Sequence, residues 1–196
     1  MEKILKNGDI LLLFLYVDNG VPIIGRTRLQ KMAYVFEQEL KKKFGFDKSA
    51  TENKNLSFNF EAYNYGPFSK EVFDLMEFFV NIEAVTVNYS IKDIEEAVDS
   101  IDDQIISNDD MQGMVEDDES QPGDPIYKIT DKGVRFVSEK LLGMLNTEQL
   151  KAITDLKVAF NRYSLNQILK YVYSKYPDMT KNSLIKDAVL ENTWRS

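Results

Sequence analysis

Thirteen of the chain's 32 acidic residues fall within residues 92–124, a stretch that holds a single base, Lys92. That segment therefore carries a net charge of −12, and the rest of the chain, with 23 bases and 19 acids, stands at +4. Such a density of carboxylates cannot be buried, so the core must be assembled from the residues on either side of it. Gly113, Pro122 and Gly123, with almost no large apolar neighbours, mark residues 109–124 as a solvated loop. Upstream, Ile94, Val98, Ile101 and Ile105 recur at spacings of four, three and four, which predicts a short amphipathic helix within residues 91–106.

The flanking sequence has ample material for a core, with 43% hydrophobic and 12% aromatic residues over 196 positions. One mostly helical α+β domain over residues 1–145 is expected, with the acidic segment inserted. Residues 146–196 form a helical extension packed on that domain. Residues 3–17 are apolar on most faces and read as a central helix, which Asp18-Asn19-Gly20 ends in a left-handed turn. Thr27 and Gln30 have capping-box spacing for a second helix, with Leu29, Met32, Ala33, Phe36 and Leu40 as its buried stripe. Leu56, Phe58, Phe60 and Ala62 alternate with polar residues as a strand does, and Tyr65-Gly66-Pro67-Phe68 reads as a turn.

Ser69 then caps a third helix, with Val72, Leu75, Met76 and Phe79 inward. Strands are expected around Val85, Val87 and Tyr89 and over residues 126–129, followed by a helix capped by Thr130 or Asp131. In the last third, residues 147–163 form one helix. Ser164 and Gln167 box the start of the next, which Pro177 ends, and residues 180–190 form a last short helix.

Cysteine and histidine are both absent. Without them there are no disulfides, thiolate nucleophiles, Cys/His zinc sites, Ser-His-Asp triads or histidine bases. The calcium-loop spacing is missing around Asp102-Asp103 and Asp109-Asp110, and no glycine loop is suited to cradle phosphate. No catalytic residue, metal site or cofactor is assigned, and a non-enzymatic protein is expected. Residues 1–9 mix acids and lysines, unlike a signal peptide. The apolar run 10–17 is eight residues, against about 20 for a membrane span. A cytoplasmic protein without membrane contact is the expectation.

Three phrases carry a family resemblance. Gly25-Arg26-Thr27-Arg28-Leu29-Gln30-Lys31-Met32-Ala33-Tyr34 resembles the opening of YwgA-like proteins and is similar to the K-L-Q-K-L-x-Y phrase of the SocA-type antitoxin (Panacea) family. Phe60-Glu61-Ala62-Tyr63-Asn64-Tyr65-Gly66-Pro67-Phe68-Ser69 resembles a second element those families share. Tyr127-Lys128-Ile129-Thr130-Asp131-Lys132-Gly133 looks like the entry from a wing strand into a helix in winged-helix domains. The resemblance spans roughly residues 5–140. It implies a winged-helix-like fold and a prokaryotic or phage-associated regulator, antitoxin-like or adaptor-like, without known catalysis.

Two classes of partner follow. A protein partner is expected through Tyr65, Gly66 and Pro67, the tyrosines Tyr171 and Tyr173, and the acidic Asp117, Asp118 and Glu119. A homodimer is one form this would take, and the acidic segment acting as a DNA mimic is another. A nucleic-acid partner would instead use a basic face of Arg26, Arg28, Lys31, Lys128, Lys132 and Arg135. The third helix is poorly suited to a duplex, because Lys70, Glu71, Asp74 and Glu77 sum to −2 and no counterion release compensates acids beside phosphates.

Overall fold

The structure is a computed structural model that describes residues 5–46, 56–89 and 124–191. It is an α+β fold, mostly helical, with a small antiparallel sheet. The helix expected within residues 91–106, and Asp117, Asp118 and Glu119, lie outside the described residues.

Helix α1 (Asn7–Tyr16) is the axis of the molecule. Ile10 to Leu15 are each 2% exposed or less, so the helix is covered on every face, as an all-round apolar sequence requires. The Asp9 carboxylate accepts the Lys6 N–H at 2.8 Å at its start. Past its end, Asp18, Asn19 and Gly20 all adopt positive φ, the left-handed turn expected there.

Strand β1 (Ile23–Ile24) leads through Gly25 into α2 (Arg26–Val35). Helix α2 runs on through a widened turn (Phe36–Leu40), in which Lys41 N–H bonds the Phe36 carbonyl five residues back, to Lys41–Lys43. Its burial departs from the expected single stripe. Thr27, Leu29 and every residue from Gln30 to Val35 are buried, because other elements pack on it from several sides. The Thr27–Gln30 capping box does not form. Gly25 is the N-cap, at φ 93°, and the Gln30 side chain bonds elsewhere.

Residues 56–60 form no strand, and only β2 (Glu61–Tyr63) pairs, with β3 (Gly66–Phe68). The longer strand is interrupted at Asn59, which takes φ 52°. The expected turn at residues 65–68 is instead the second arm of this hairpin. Ser69 caps α3 (Lys70–Asn81) by accepting the Val72 N–H at 3.3 Å, and Val72, Met76 and Phe79 are buried as expected.

Strands β4 (Val85–Tyr89) and β5 (Pro125–Ile129) pair antiparallel from Val85 opposite Ile129 to Tyr89 opposite Pro125. Strand β1 pairs with the other edge of β5, so the sheet order is β1-β5-β4. Thr130 caps α4 (Asp131–Phe136, continued through Val137–Leu141 and Leu142–Met144), and its hydroxyl also donates to the Glu83 carbonyl at 2.7 Å. Gly133 is required at this junction, since a Cβ there would lie 2.4 Å from the Ala84 carbonyl oxygen.

The last third is α5 (Thr147–Arg162), α6 (Leu165–Lys175), a tight turn at Pro177–Thr180 and α7 (Lys186–Glu191). The Ser164–Gln167 box forms, and a second box, Asn146–Gln149, starts α5. Buried residues from Leu5 to Val189 make one hydrophobic cluster, which holds Ile153, Phe160, Leu169, Val172 and Tyr173 of the last third. Among the described residues no helix is long and apolar enough to cross a membrane.

Candidate functional site

The outer face of α3 is the first feature that differs from ordinary surface. Its stripe of Val72, Met76 and Phe79 faces the core, yet Phe78 is 52% exposed, and Val80 and the following Ile82 are also exposed. Asp74 and Glu77 share that exposed side. Lys70, the only base on the helix, is tied to Asp74 at 2.5 Å. A hollow of about 420 Å³ lies between α3 and the β4–β5 pair, lined in part by Phe73, Val80, Val87 and Tyr127. Arg26 and Lys70 also line the hollow, while the exposed side of α3 itself is apolar and acidic.

The six residues of the expected basic face differ in exposure: Lys31 is buried, Arg26 and Arg28 are half-buried, and Lys128, Lys132 and Arg135 are exposed. Lys31 is 2% exposed and donates to the Pro67 carbonyl at 2.9 Å. Burial pushes its ammonium down to about 7. Arg28 is turned inward, donating to the carbonyls of Ile24 (3.1 Å), Phe160 and Tyr163 (2.7 Å). Those last two carbonyls are unpaired groups at the end of α5, which a cation suits both as donor and as charge. Burial lowers the Arg28 pKa, with Asp124 opposing. Arg26 lies over the Phe73 ring, 5.9 Å from its centroid, and bonds the Tyr127 hydroxyl. Lys128, Lys132 and Arg135 are exposed, and Lys132 meets Glu83 at 3.7 Å.

The expected partner residues also lie largely inside. Tyr65, Gly66 and Pro67 are buried, and Tyr173 is 1% exposed. Gly66, at φ 81°, sits so close to Tyr173 that a Cβ would come within 2.8 Å of its ring. This corner is a packing joint between the hairpin and α6. Burial pushes the Tyr173 hydroxyl up to about 12, against the Ser183 hydrogen bond. Tyr171 alone of this set is exposed, and its hydroxyl donates to Glu39 at 2.5 Å.

The phrases singled out in the sequence meet in space. Gln30 Nε2 donates to the Ser69 carbonyl at 2.8 Å, while the Ser69 N–H donates back to Gln30 Oε1 at 3.0 Å. With Lys31 on Pro67, the Gln-Lys pair of α2 supplies the partners for backbone groups at the end of the hairpin, where buried polar groups must be satisfied.

Two features escaped sequence reasoning. Lys157 is fully buried and donates to the carbonyls of Leu15 (3.3 Å) and Val17 (2.7 Å), closing the C-terminal end of α1. A signal was present: Lys157 falls with Ile153, Leu156 and Phe160 on the stripe of α5. The other feature is a groove of about 470 Å³ between the widened turn of α2, α5 and α6. At its rim, Glu39 Oε1 accepts from Tyr171, Tyr176 (2.7 Å) and Lys175 (2.9 Å). Burial would raise the Glu39 carboxyl, but these three donors outweigh it and hold the group below the ordinary carboxylate range. No sequence pattern joins residue 39 to residues 171–176.

Among the described residues no group of three or more acidic side chains is placed to hold a metal ion. No family model, curated protein or solved structure matches this chain.

Proposed function

We propose that this chain is a non-enzymatic regulatory protein of winged-helix type, antitoxin-like or adaptor-like, that acts by binding a protein partner. The observation that carries the reading is the outer face of α3, where Phe78, Val80 and Ile82 are exposed beside Asp74 and Glu77. Exposed aromatic and aliphatic side chains gain free energy by leaving water against another protein. Carboxylates beside phosphates only repel.

The order α1-β1-α2-α3-β4-β5, with sheet order β1-β5-β4, supports the winged-helix reading, the β2–β3 hairpin being an insertion before α3. In that fold α3 is the helix that would enter a major groove. Kinship with YwgA-like and SocA-type proteins is supported by the contacts of Gln30 and Lys31 with Ser69 and Pro67, which give the shared phrases a common structural task. The nucleic-acid reading loses support from Lys31, buried on the Pro67 carbonyl, and from Arg28, whose Nε and Nη1 are held by backbone carbonyls.

The test is affinity purification of the tagged full chain from cells that carry its gene, with Phe78→Asp and Lys128→Glu variants alongside. A stoichiometric protein partner, recovered at least tenfold less with Phe78→Asp and equally with Lys128→Glu, is the expected result. In parallel, a labelled random duplex should not bind at low salt. Duplex binding that Lys128→Glu abolishes, with no protein recovered, would overturn the proposal.

A further inference from the structure

The groove between α2, α5 and α6 lies among different helices from the α3 face. Its floor is Val35, Leu156, Phe160 and Ile168, all buried, and Tyr163 (50% exposed) stands at its mouth. No lysine or arginine lines it, whereas two carboxylates do, Glu39 from the widened turn of α2 and Asp155 from α5. Each uses one oxygen for a nearby lysine, Oε1 for Lys175 and Oδ2 for Lys151. The Lys151–Asp155 pair is solvent-exposed and so weakly held, whereas Glu39 Oε1 is held by Lys175 together with two tyrosine hydroxyls. Among the described residues no donor reaches Glu39 Oε2 or Asp155 Oδ1.

We infer that this groove receives an amphipathic helix of a protein partner, apolar on one face and carrying lysine or arginine at the edges of that face. The inference rests on the protein-binding reading above and adds to it a second surface and the chemistry of what docks there. The free acceptors decide the flanks: with each carboxylate's lysine on one oxygen, Glu39 Oε2 and Asp155 Oδ1 are left to accept at the rim and no lysine or arginine lines the groove, so donating lysine or arginine edges fit and acidic ones do not.

Backbone chemistry decides the conformation. An extended segment would bring unpaired N–H and C=O groups against a floor of Val35, Leu156, Phe160 and Ile168, where most would lack a partner. A helix satisfies its own backbone and offers anchors at i, i+3 or i+4, and i+7. The widened turn Phe36–Leu40 belongs to the same feature, since Glu39 and Leu40 of that turn both line the groove. Such turns recur where a helix serves a function rather than only packing.

The test uses the full chain and a fluorescein-labelled synthetic helix with leucines at i, i+4 and i+7 and lysines flanking them. Its glutamate-flanked counterpart and dodecylamine serve as comparison probes. Fluorescence anisotropy should show saturable binding of the lysine-flanked helix and at least tenfold weaker binding of the glutamate-flanked one. Asp155→Lys, an exposed position, should weaken binding about tenfold. Ala159→Phe, which fills the groove from α5, should abolish it while circular dichroism stays unchanged.

Binding that survives both variants would come from the overall negative charge and would overturn the inference. So would dodecylamine binding without helix binding, since the groove would then be a small-molecule site. Phe78→Asp should leave helix binding unchanged. If the helix fails to bind while Phe78→Asp still costs the native partner, this inference falls and the proposed function stands.

Discussion

Lys31 is a charge with one acceptor, the Pro67 carbonyl, in a site 2% exposed. Burial lowers its pKa from 10.5 to about 7. Between those values the unfolded chain holds the proton and the folded chain does not, so stability rises with pH across that window. Lys157, lowered by burial to about 8 against the pull of Asp18, acts in the same sense. Tyr34, Tyr127 and Tyr173, each raised by burial to about 12, act oppositely, their contribution being lost as pH climbs above 10. The midpoint of urea unfolding should therefore rise from about pH 7 to about pH 9.5 and turn over above it. Lys31→Met should stabilise the protein at pH 7 by about 1–3 kcal/mol, because removing an unpaired buried charge outweighs the hydrogen bond lost on Pro67. It should also flatten the rise. An unchanged slope in the variant would show that Lys31 is not the titrating group.

At the scale of elements, the join between α2, the β2–β3 hairpin and α3 passes through Ser69. Its hydroxyl caps α3 and donates to the Phe58 carbonyl, while its backbone is held by Gln30. Ser69→Ala should cost about 2–3 kcal/mol in a denaturant titration, one part for the cap and one for the stranded buried carbonyl. A loss below about 0.5 kcal/mol would mean that water replaces the hydroxyl. Ser69, Thr130 and the Ser164–Gln167 box were legible in the sequence because a cap and its target lie three residues apart. The Thr27–Gln30 box was misread for the complementary reason: the partner of Gln30 is 39 residues away, and local spacing carries no trace of it. Tyr65-Gly66-Pro67 has the composition of an exposed turn, yet it is buried because Tyr173 closes over Gly66, a contact across more than 100 residues. Two members of the basic face were misplaced likewise, since Arg28 and Lys31 sit off the apolar stripe but find carbonyls supplied by distant elements. The apolar stripe of α3 was legible. The exposure of Phe78 was not, because hydrophobicity alone does not say which apolar residue is left uncovered.

Across the whole molecule, cations join the first and last thirds of the chain. Lys157 of α5 closes the end of α1, and Arg28 of α2 closes the end of α5, so each of two helix ends is capped by a base more than 130 residues away. Apolar packing follows the same route, with Phe160, Leu169, Val172 and Tyr173 in one cluster with Phe14, Phe36 and Met32. Removing residues 147–196 would bare the faces of α1 and α2 that this layer covers and leave the Leu15 and Val17 carbonyls without their donor. Returning several large side chains of α1 and α2 to water, at roughly 1.5–3 kcal/mol each, is comparable with the typical 5–15 kcal/mol net stability of a domain. Residues 1–146 alone should therefore show no cooperative thermal transition, lose near-ultraviolet circular dichroism and bind a hydrophobic dye, while keeping much of their helical signal. A sharp two-state transition in that fragment would mean that the last third is an attachment to a self-sufficient domain, and the capping lysine and arginine would then be consequences of docking rather than conditions for folding.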